Sequence, residues 1–315
     1  MFAICIETSH KKGMGHLFRM LVLADLMKQE GMSFHFFLNA HAPSEAILKK
    51  RGYVFDLVPL EEASSGWEAD ALGKGDFKFW VDDRLDTDEI HARCIKEAGL
   101  GLVTFDDRGA GADMADLHFA CMTAFQGALL YGKKVFTDLA FMILNPEIER
   151  YKRHRLQAEK VLVTLGGTDT FGVTVKVVEV LKQAGRAATV LVGPGFEHMT
   201  ELKQVLTPDF ELKQYVPSLI EEFSHYDYAI TGAGVTVFEA LASGLPCVIV
   251  ANEPHEVPIG KGLAAMGVAV YAGHHSEMDA ACVTRIPDVP TLSGVALDKI
   301  PSHGAENVLH EIIKL

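Results

Sequence analysis

The sequence predicts a two-domain α/β protein in which each domain is built on an open parallel sheet with helices on both faces. Short apolar runs alternate with amphipathic helical patterns along the chain, an order that is typical of βαβ units. The chain has 315 residues, which fits two domains of roughly 150 residues each better than one core. A strongly charged stretch, EIERYKRHRLQAEK at 147–160, separates two such series. We therefore predict one domain over residues 1–150 and a second over 151–315, with a final helix at 304–315 that packs back on the first domain.

In the first domain, the predicted elements begin with a strand at 2–7, a polar, glycine-rich turn and a helix from 16 to 29. Further strands are predicted at 33–38, 53–57, 77–81, 101–105, 117–121 and 134–136, with helices at 44–51 and 87–98. In the second domain, helices alternate with strands at 161–165, 188–192, 210–212, 228–230, 247–251 and 268–271. Ligands of open parallel sheets bind outside the carboxyl ends of the strands, so the loops that follow strands are where chemistry is expected.

Composition and charge argue against several classes of partner. With 49% apolar and 23% charged residues, the chain is expected to be globular. Its formal net charge of −13 disfavours a nucleic-acid backbone or an anionic membrane, because both require clustered Lys and Arg. No apolar stretch reaches about 18 residues, so no stable membrane insertion is expected. Five widely spaced cysteines indicate reduced thiols. We expect a cytoplasmic protein that is a monomer and uses no cofactor.

The first loop after a strand, TSHKKGMGH at 8–16, is a candidate reaction centre. Gly13 and Gly15 allow a ligand to approach the backbone, and the following helix N-terminus adds partial positive charge. His16 lies at the helix start, and imidazole titrates near neutral pH, which suits a general base. The alternative is a tight turn in which His16 is only a polar cap. Dinucleotide binding fits less well, because Phe18 stands where G-x-G-x-x-G requires its third glycine.

Two acidic pairs follow predicted strands of the first domain, Asp82 with Asp83 and Asp106 with Asp107. Hard divalent cations bind carboxylate oxygens, which makes a metal site conceivable there. Turn and N-cap roles explain aspartates at strand ends equally directly. Since the sequence also lacks a His/Cys cluster with zinc spacing, no metal site is predicted.

The second domain contains two glycine-rich loops after strands. In the sequence LGGTDT at 165–170, Gly166, Gly167 and Thr168 are candidates to receive a phosphate, while Asp169 fits an N-cap equally well. In TGAGVT at 231–236, small residues lead into a helix whose first-turn amides can cradle a pyrophosphate.

Two further polar residues of the second domain are candidates to bind the nucleoside. Glu239, about one turn inside the helix that follows TGAGVT, is placed to accept hydrogen bonds from a ribose diol. The alternative for Glu239 is an exposed helix carboxylate, although its near neighbours are mostly apolar. Asn252 lies in a further loop, at 251–256, that can close over a nucleotide.

Together these motifs resemble a known family. The segments are G-x-G-H-x-x-R at 13–19, F-D-D at 105–107, L-G-G-T-D at 165–169 and G-A-G-V-T-x-x-E-A-L-x-x-G-x-P at 232–246. In order and spacing they resemble the nucleotide-sugar hydrolases of pseudaminic acid biosynthesis, which act on UDP-2,4-diacetamido-2,4,6-trideoxy-β-L-altropyranose, and related spore-coat polysaccharide proteins. More distantly, the chain is similar to the N-acetylglucosaminyltransferase that forms lipid II.

The resemblance implies a GT-B fold, with two Rossmann-like domains and a cleft between them. It also implies that the C-terminal domain binds UDP and that His16 activates a water, which attacks the anomeric carbon and expels UDP. The residues predicted on this basis to contact the sugar are Gly13, Gly15, Arg19, Asp82 and Asp107. Those predicted to contact UDP are Gly166, Gly167, Thr168, Gly232, Ala233, Gly234, Val235, Thr236, Glu239 and Asn252.

The chain departs from the family pattern at two places. Where members usually have R-x-D-x-S before the glycines, this sequence has CIETS at 5–9, so the Arg is absent and Glu7 replaces Asp. Where members tend to have Asn-Gln, Asn252 is followed by Glu253. The leading hypothesis is hydrolysis of a UDP-linked, diacetamido-type deoxy amino sugar in nonulosonic acid or surface glycan biosynthesis. The alternatives are glycosyl transfer from a UDP-sugar and a non-catalytic nucleotide-sugar-binding protein.

Overall fold

Two parallel sheets organise the chain. The computed structural model describes residues 1–8, 14–60, 65–127, 129–167 and 169–315. Contacts between Cα atoms divide the protein into an N-terminal unit, Met1–Ile143 with His303–Leu315, and a C-terminal unit, Leu144–Ser302. The boundary between the two units lies after Ile143, upstream of the predicted boundary at residue 150. Residues His303–Leu315 at the end of the chain belong to the N-terminal unit.

In the described residues, the sheet of the N-terminal unit has seven strands in the order β3-β2-β1-β4-β5-β6-β7, and every neighbouring pair is parallel. The strands are β1 (Phe2–Ile6), β2 (Phe34–Leu38), β3 (Phe55–Leu57), β4 (Phe79–Asp83), β5 (Gly101–Phe105), β6 (Leu117–Phe119) and β7 (Lys134–Phe136). The helices are α1 (Gly15–Gln29), α2 (Ala42–Arg51), α3 (Trp67–Leu72), α4 (Glu89–Glu97) and, at the end of the chain, α13 (Gly304–Ile312).

The sheet of the C-terminal unit has six parallel strands within the described segments, in the order β10-β9-β8-β11-β12-β13. The strands are β8 (Val161–Thr164), β9 (Ala188–Leu191), β10 (Phe210–Lys213), β11 (Tyr228–Thr231), β12 (Cys247–Ala251) and β13 (Ala269–His274). The helices are α5 (Ile148–Tyr151), α6 (Val173–Gln183), α7 (Met199–Val205), α8 (Leu219–Phe223), α9 (Val235–Ala242), α10 (Glu256–Ala265), α11 (Ala280–Thr284) and α12 (Val289–Lys299).

Both faces of the N-terminal sheet are buried. Along β1, Ile4 and Ile6 belong to one hydrophobic core, which also contains residues of α1 and α13, while Ala3 and Cys5 belong to a second core on the other face. This is the expected result of the two-residue period of a strand that helices cover on both sides. The same alternation decides where polar side chains at the strand ends point.

Several elements differ from those that the sequence pattern predicts. Helices α3, α11 and α12 lie in segments for which no element was predicted. The sequence pattern predicts a helix from residue 170, whereas α6 begins at Val173, after Gly172, which adopts a left-handed conformation with φ of 60°. In the part of the chain that the structure describes, no helix is long and apolar enough to cross a membrane.

The charge pattern of segment 147–160 predicts a solvated surface helix and linker, and the structure differs from that prediction. Only Ile148–Tyr151 is helical, and Arg155 is fully buried. The guanidinium of Arg155 donates to the main-chain oxygens of Phe223 at 3.1 Å and of Ser243, at the ends of α8 and α9. These carbonyls have no partner within their helices. Burial, and secondarily the charge of Arg153, lower the pKa of Arg155 to about 9. The linker is therefore clamped to two helix C-termini.

Candidate active site

Consecutive aspartates at the end of β4 point to opposite faces of the N-terminal sheet. Asp82 and Asp83 are the last residues of the strand, and successive side chains of a strand alternate between faces. Asp83 contacts α1, whereas Asp82 contacts α4. The acidic pair that looks like one unit in the sequence therefore belongs to two separate clusters.

Asp83 and His16 form a hydrogen-bonded pair at the start of α1. The His16 Nδ1 and Asp83 Oδ1 atoms lie 2.7 Å apart, and Asp83 is fully buried. Arg19, one turn further along α1, donates from Nε to Asp83 Oδ2 at 2.8 Å and from Nη1 to Asp106 Oδ2 at 2.6 Å. The four side chains thus form a continuous network that joins α1 to the ends of β4 and β5, which we call the His16 network.

The contact with Asp83 determines which ring nitrogen of His16 carries a proton. Burial alone would raise the pKa of Asp83, but Arg19 and His16 outweigh it and lower that pKa to about 2. Asp83 is therefore ionised at neutral pH, and an ionised carboxylate can only accept hydrogen bonds. It follows that Nδ1 of His16 carries a proton. In the neutral imidazole, Nε2 is then the proton acceptor, and no described residue forms a hydrogen bond with it.

The two carboxylate oxygens of Asp106 have different partners, Arg19 for Oδ2 and backbone N–H groups for Oδ1. Its backbone has a φ of 48°, in the left-handed region, and its Oδ1 accepts the N–H groups of Met122 at 2.8 Å and Thr123 at 3.0 Å. Burial would lower the pKa of Arg19, but Asp83 and Asp106 raise it instead. Asp83 and Asp106 thus orient Arg19 from the ends of two strands, and two backbone amides hold Asp106 itself.

The sequence prediction included His16 and Arg19 but not Asp83 and Asp106. The acidic pairs are visible in the sequence, and the prediction named Asp82 and Asp107, whereas the aspartates that contact His16 and Arg19 are Asp83 and Asp106. Choosing correctly requires the register of β4 relative to β1, in which Asp82 lies beside Cys5 and Asp83 beside Ile6. A single sequence does not contain that register.

Asp82, which was predicted to contact the sugar, lies in a buried cluster with Trp80 and His91. It is fully buried and accepts hydrogen bonds from Trp80 Nε1 at 3.0 Å and from His91 Nε2 at 3.1 Å. The other ring nitrogen of His91 contacts Glu68 Oε1 at 3.0 Å. Burial would lower the pKa of His91, but Asp82 and hydrogen bonding to Glu68 raise it to about 9. His91 is thus a buried cation balanced by two acids.

Asp107, also predicted to contact the sugar, instead fixes a turn. Its carboxylate accepts the N–H groups of Thr87 at 3.1 Å and Gly109 at 2.8 Å, and the Thr87 hydroxyl also donates to it. Gly109 has to be glycine, because a Cβ there would lie 2.2 Å from the Thr87 carbonyl oxygen. Burial raises the pKa of Asp107. Within the described residues, no group of three or more His, Cys, Asp or Glu is placed to hold a metal ion.

Of the two glycines predicted to contact the sugar, the structure describes only Gly15. Gly13 lies outside the described residues. Gly15 is exposed at the first position of α1, and a Cβ added to it would meet no atom within 4 Å. Packing inside the protein therefore does not require a glycine at this position. The prediction that a ligand approaches the backbone here remains a prediction.

In the C-terminal unit, Asp169 caps α6. Its carboxylate accepts the N–H groups of Val173 at 2.7 Å and Thr174 at 2.8 Å, and only 3% of its surface is exposed. The N-cap position itself is occupied by Gly172, so Asp169 accepts these two amides of α6 from three residues further upstream. Gly166 has a φ of 92°, and Gly167 packs against Gly193, where a Cβ would lie 2.4 Å from the Gly167 carbonyl oxygen. Thr168 lies outside the described residues.

Asn252 connects the loops that follow β8 and β12. Its Nδ2 donates to the Leu165 carbonyl oxygen at 3.3 Å, and its backbone N–H donates to Glu256 Oε2 at 2.7 Å. Its Oδ1 is buried and has no hydrogen-bond partner among the described residues. The neighbouring Thr231, at the end of β11, likewise has a buried hydroxyl without a partner in the described structure. Two unsatisfied polar atoms thus lie at adjacent strand ends.

Glu256 is a residue that the sequence analysis did not single out. Besides Asn252, its Oε2 accepts the Ala233 N–H at 3.2 Å, so one carboxylate ties the loop after β11 to the loop after β12. The predicted pyrophosphate cradle consists of Gly232, Ala233, Gly234, Val235 and Thr236. Its Ala233 amide is thus already engaged, while Val235 and Thr236 stand in the first turn of α9, where amides have no intrahelical acceptor. The only sequence signal for Glu256 is an acid in the first turn of a helix.

Glu239 lies on α9 and is half-buried, so it is not the exposed helix carboxylate of the alternative interpretation. Burial raises its pKa to about 7, and a hydrogen bond from the Asn145 backbone opposes that rise. An acid with this pKa changes its charge in the neutral range.

Sequence comparison finds distant relatives. The chain is 26% identical over 270 residues to the uncharacterized protein MJ1062 of Methanocaldococcus jannaschii, an alignment that covers 78% of this chain but only 54% of that protein. The chain therefore spans about half the length of this relative. It is 21% identical to the spore coat polysaccharide biosynthesis protein SpsG of Bacillus subtilis, with 86% of this chain and 83% of SpsG aligned. No protein-family profile matches the chain.

Structure comparison identifies the fold. MurG of Acinetobacter baumannii superposes with a TM-score of 0.73 at 14% identity, and the match covers 100% of this chain and 99% of MurG. Alr3699/HepE of Anabaena, solved in complex with UDP, superposes with a TM-score of 0.63 at 13% identity over 100% of both chains. The protein thus has two Rossmann-like domains with parallel sheets that match GT-B glycosyltransferase structures, which confirms the predicted fold class.

The pKa of Asp83 predicts an acid-dependent loss of stability. Because native Asp83 binds its proton less tightly than the usual aspartate with a pKa of 3.8, its carboxylate stabilises the fold above pH 4, and this contribution disappears as the pH falls toward 2. The unfolding free energies of the wild type and Asp83→Asn should therefore converge by about 2 kcal/mol over that range. Urea denaturation at pH 7, 4 and 2.5 measures this, with Asp113→Asn at an exposed position as the control. A difference that stays constant with pH would contradict the ion pairing.

Proposed function

We propose that the protein transfers a glycosyl group from a UDP-sugar, with His16 as the general base. The observation that carries the proposal is the His16–Asp83 pair, in which an ionised carboxylate orients Nδ1 and leaves Nε2 to accept a proton. The pair stands at the carboxyl end of β4, where open parallel sheets bind their ligands. The GT-B fold supports the assignment, because the C-terminal unit of this chain has glycine-rich loops at strand ends that suit a nucleotide.

In the proposed reaction, Nε2 of His16 removes the proton from an acceptor hydroxyl. The acceptor oxygen attacks the anomeric carbon, and the bond between that carbon and the β-phosphate oxygen breaks. UDP leaves with the electron pair. Asp83 stabilises the imidazolium that forms, as the carboxylate partner of a catalytic histidine does. Arg19 does not touch the reacting atoms in this scheme, and its role is to hold Asp83.

For the nucleotide, we propose that UDP binds the C-terminal unit. Gly166, Gly167 and the first-turn amides of Val235 and Thr236 are proposed to contact the diphosphate, and Glu239 the ribose. We also assign Asn252 to the UDP site. Its buried Oδ1 has no hydrogen-bond partner among the described residues, and a contact with the ligand would satisfy this atom. SpsG is a spore coat polysaccharide biosynthesis protein, so we further propose a role in polysaccharide biosynthesis.

Hydrolysis of a UDP-linked deoxy amino sugar is the second candidate, with water in place of the acceptor hydroxyl. One observation favours it: only 9% of the surface of His16 is exposed, which suits a small nucleophile. The motif resemblance to the UDP-sugar hydrolases points the same way. The comparisons with glycosyltransferase folds favour transfer.

The two reactions differ in their need for an acceptor. Purified protein is incubated with a panel of UDP-sugars, each with and without sugar-hydroxyl acceptors, and UDP release is followed. Transfer predicts release that depends on the acceptor, and hydrolysis predicts equal release in its absence. UDP binding without release under any condition would support a non-catalytic nucleotide-sugar-binding protein. A protein that neither binds UDP nor releases it would overturn the proposal.

His16→Ala should lower turnover by about 10²- to 10⁴-fold, the usual contribution of a general base. The affinity for UDP should stay unchanged, because His16 is not in the proposed nucleotide site. Turnover and UDP binding are measured together, and His310→Ala, at an exposed position of α13, serves as the control. Near-normal turnover of His16→Ala would remove His16 from the mechanism.

The Glu239 assignment predicts a pH dependence of UDP binding. The ionised carboxylate is the stronger acceptor for two ribose hydroxyls, so wild-type affinity should rise as the pH increases through about 7. Glu239→Gln should lack this increase and retain only the change due to the ionisation of UDP itself. Glu239→Ala should weaken UDP binding by about 10-fold or more. Calorimetric titrations at pH 6, 7 and 8 measure these affinities. If UDP affinity depends on pH in the same way in the wild type and in Glu239→Gln, the ribose does not bind at Glu239.

A further inference from the structure

Lys176, in the first turn of α6, has an unusual partner. Its Nζ lies 2.9 Å from His275 Nδ1, and in the described residues it forms no ion pair with a carboxylate. The other partly buried lysines behave differently, since Lys96 pairs with Asp116 and Lys213 pairs with Glu222. Lys176 thus keeps a positive charge that no described acid neutralises by direct contact.

His275 is held so that its ring can accept from Lys176. Its backbone N–H donates to the Ala251 carbonyl oxygen at 2.9 Å, and its ring stacks on Phe171 with a centroid distance of 4.7 Å. Burial, and then the charges of Lys176 and His274, lower the pKa of His275. The imidazole is therefore neutral at physiological pH, and Lys176 is the donor in the pair.

The position of the pair links it to the proposed nucleotide site. Ala251 ends β12, and the next residue, Asn252, reaches the Leu165 carbonyl oxygen beside Gly166. Phe171, which stacks on His275, belongs to the same loop as Gly166. The ammonium of Lys176 thus stands among the loops that follow β8, β12 and β13.

The charges around these loops are mainly negative. Asp169 and Glu253 both act electrostatically on His275, and Glu256 occupies the Ala233 amide. The whole chain has a formal net charge of −13. A diphosphate that enters this region meets like charge from the carboxylates, and a nearby cation offsets that repulsion. A carboxylate partner would cancel the charge of Lys176, whereas a neutral imidazole fixes the ammonium and leaves the charge available to a ligand.

We propose that Lys176, positioned by His275, binds the diphosphate of the nucleotide ligand. This inference rests on the proposed function, since it concerns the same nucleotide site. Lysine suits the task because its ammonium acts as a compact point charge on phosphate oxygens. His275 touches no ligand atom in this assignment and is a positioning residue.

The test measures binding of UDP, UMP and uridine to the intact protein by calorimetry and ligand-observed NMR. Lys176→Met should weaken UDP binding by about 10- to 100-fold, the usual effect of losing a charged hydrogen bond, and leave uridine binding unchanged. Lys182→Met, at an exposed position in the last turn of the same helix, is the matched control. Unchanged UDP affinity would overturn the assignment, and so would an equal loss for UDP and uridine, which indicates a structural role.

Two variants of His275 test the positioning role. His275→Asn keeps a neutral acceptor and should retain most of the UDP affinity. His275→Asp gives Lys176 a carboxylate partner, which preserves the contact but cancels the charge, so UDP binding should weaken while uridine binding stays the same. Equal UDP affinity in the two variants would contradict the proposal.

The failure of this inference is distinguishable from the failure of the proposed function. If the wild type has no measurable affinity for UDP, the proposed function and the assignment of Lys176 both fall. If the wild type binds UDP and Lys176→Met binds it equally well, only the assignment of Lys176 falls.

Discussion

A single buried guanidinium, that of Arg19, holds the N-terminal site together. It bridges Asp83 and Asp106 at the ends of two neighbouring strands, and Asp83 in turn holds His16. Buried ion pairs carry a large desolvation cost, which good geometry and further hydrogen bonds have to offset. Here the Asp106 carboxylate is completed by two backbone amides. Removal of the Arg19 charge would leave Asp83 and Asp106 without the cation that they share.

The pleat of β4 separates this network from a second charged cluster. Asp82 faces α4 and balances the buried His91 together with Glu68, whereas Asp83 faces α1. Each face of the sheet therefore contains its own compensated charges. One face thus holds a buried charge cluster, while the other holds a histidine close to the end of β4. This separation follows from the alternation of side chains along a strand.

The C-terminal unit uses internal carboxylates to fix its loops. Asp169 occupies two amides of α6, and Glu256 ties the loop after β11 to the loop after β12. These acids give the loops a defined conformation, but they add negative charge where a nucleotide is proposed to bind. The contact of Lys176 with a neutral imidazole matters here, because it leaves a positive charge near these carboxylates that attracts an anion.

Much of the fold could be predicted from local pattern alone. Alternating apolar runs and amphipathic helices located the strands of both sheets, and the rule that ligands bind at strand carboxyl ends selected the loops with His16, Gly166 and Gly232. Helices α11 and α12 were missed although Asp279 and Asp288 are N-caps that the sequence displays. Their apolar faces give little periodic signal without the elements against which they pack, which are α6 and β13 for α11 and α9 for α12.

The sequence by itself determined the fold class and the presence of a histidine at the start of α1, because both follow from the order of neighbouring residues. Only the tertiary structure decided that Asp83 and Asp106 are the partners of His16 and Arg19, while Asp82 and Asp107 are internal. It likewise decided that Arg155, in the most charged segment of the chain, is buried. These outcomes depend on strand register and on which helix covers which face, and they are properties of long-range packing that no local pattern contains.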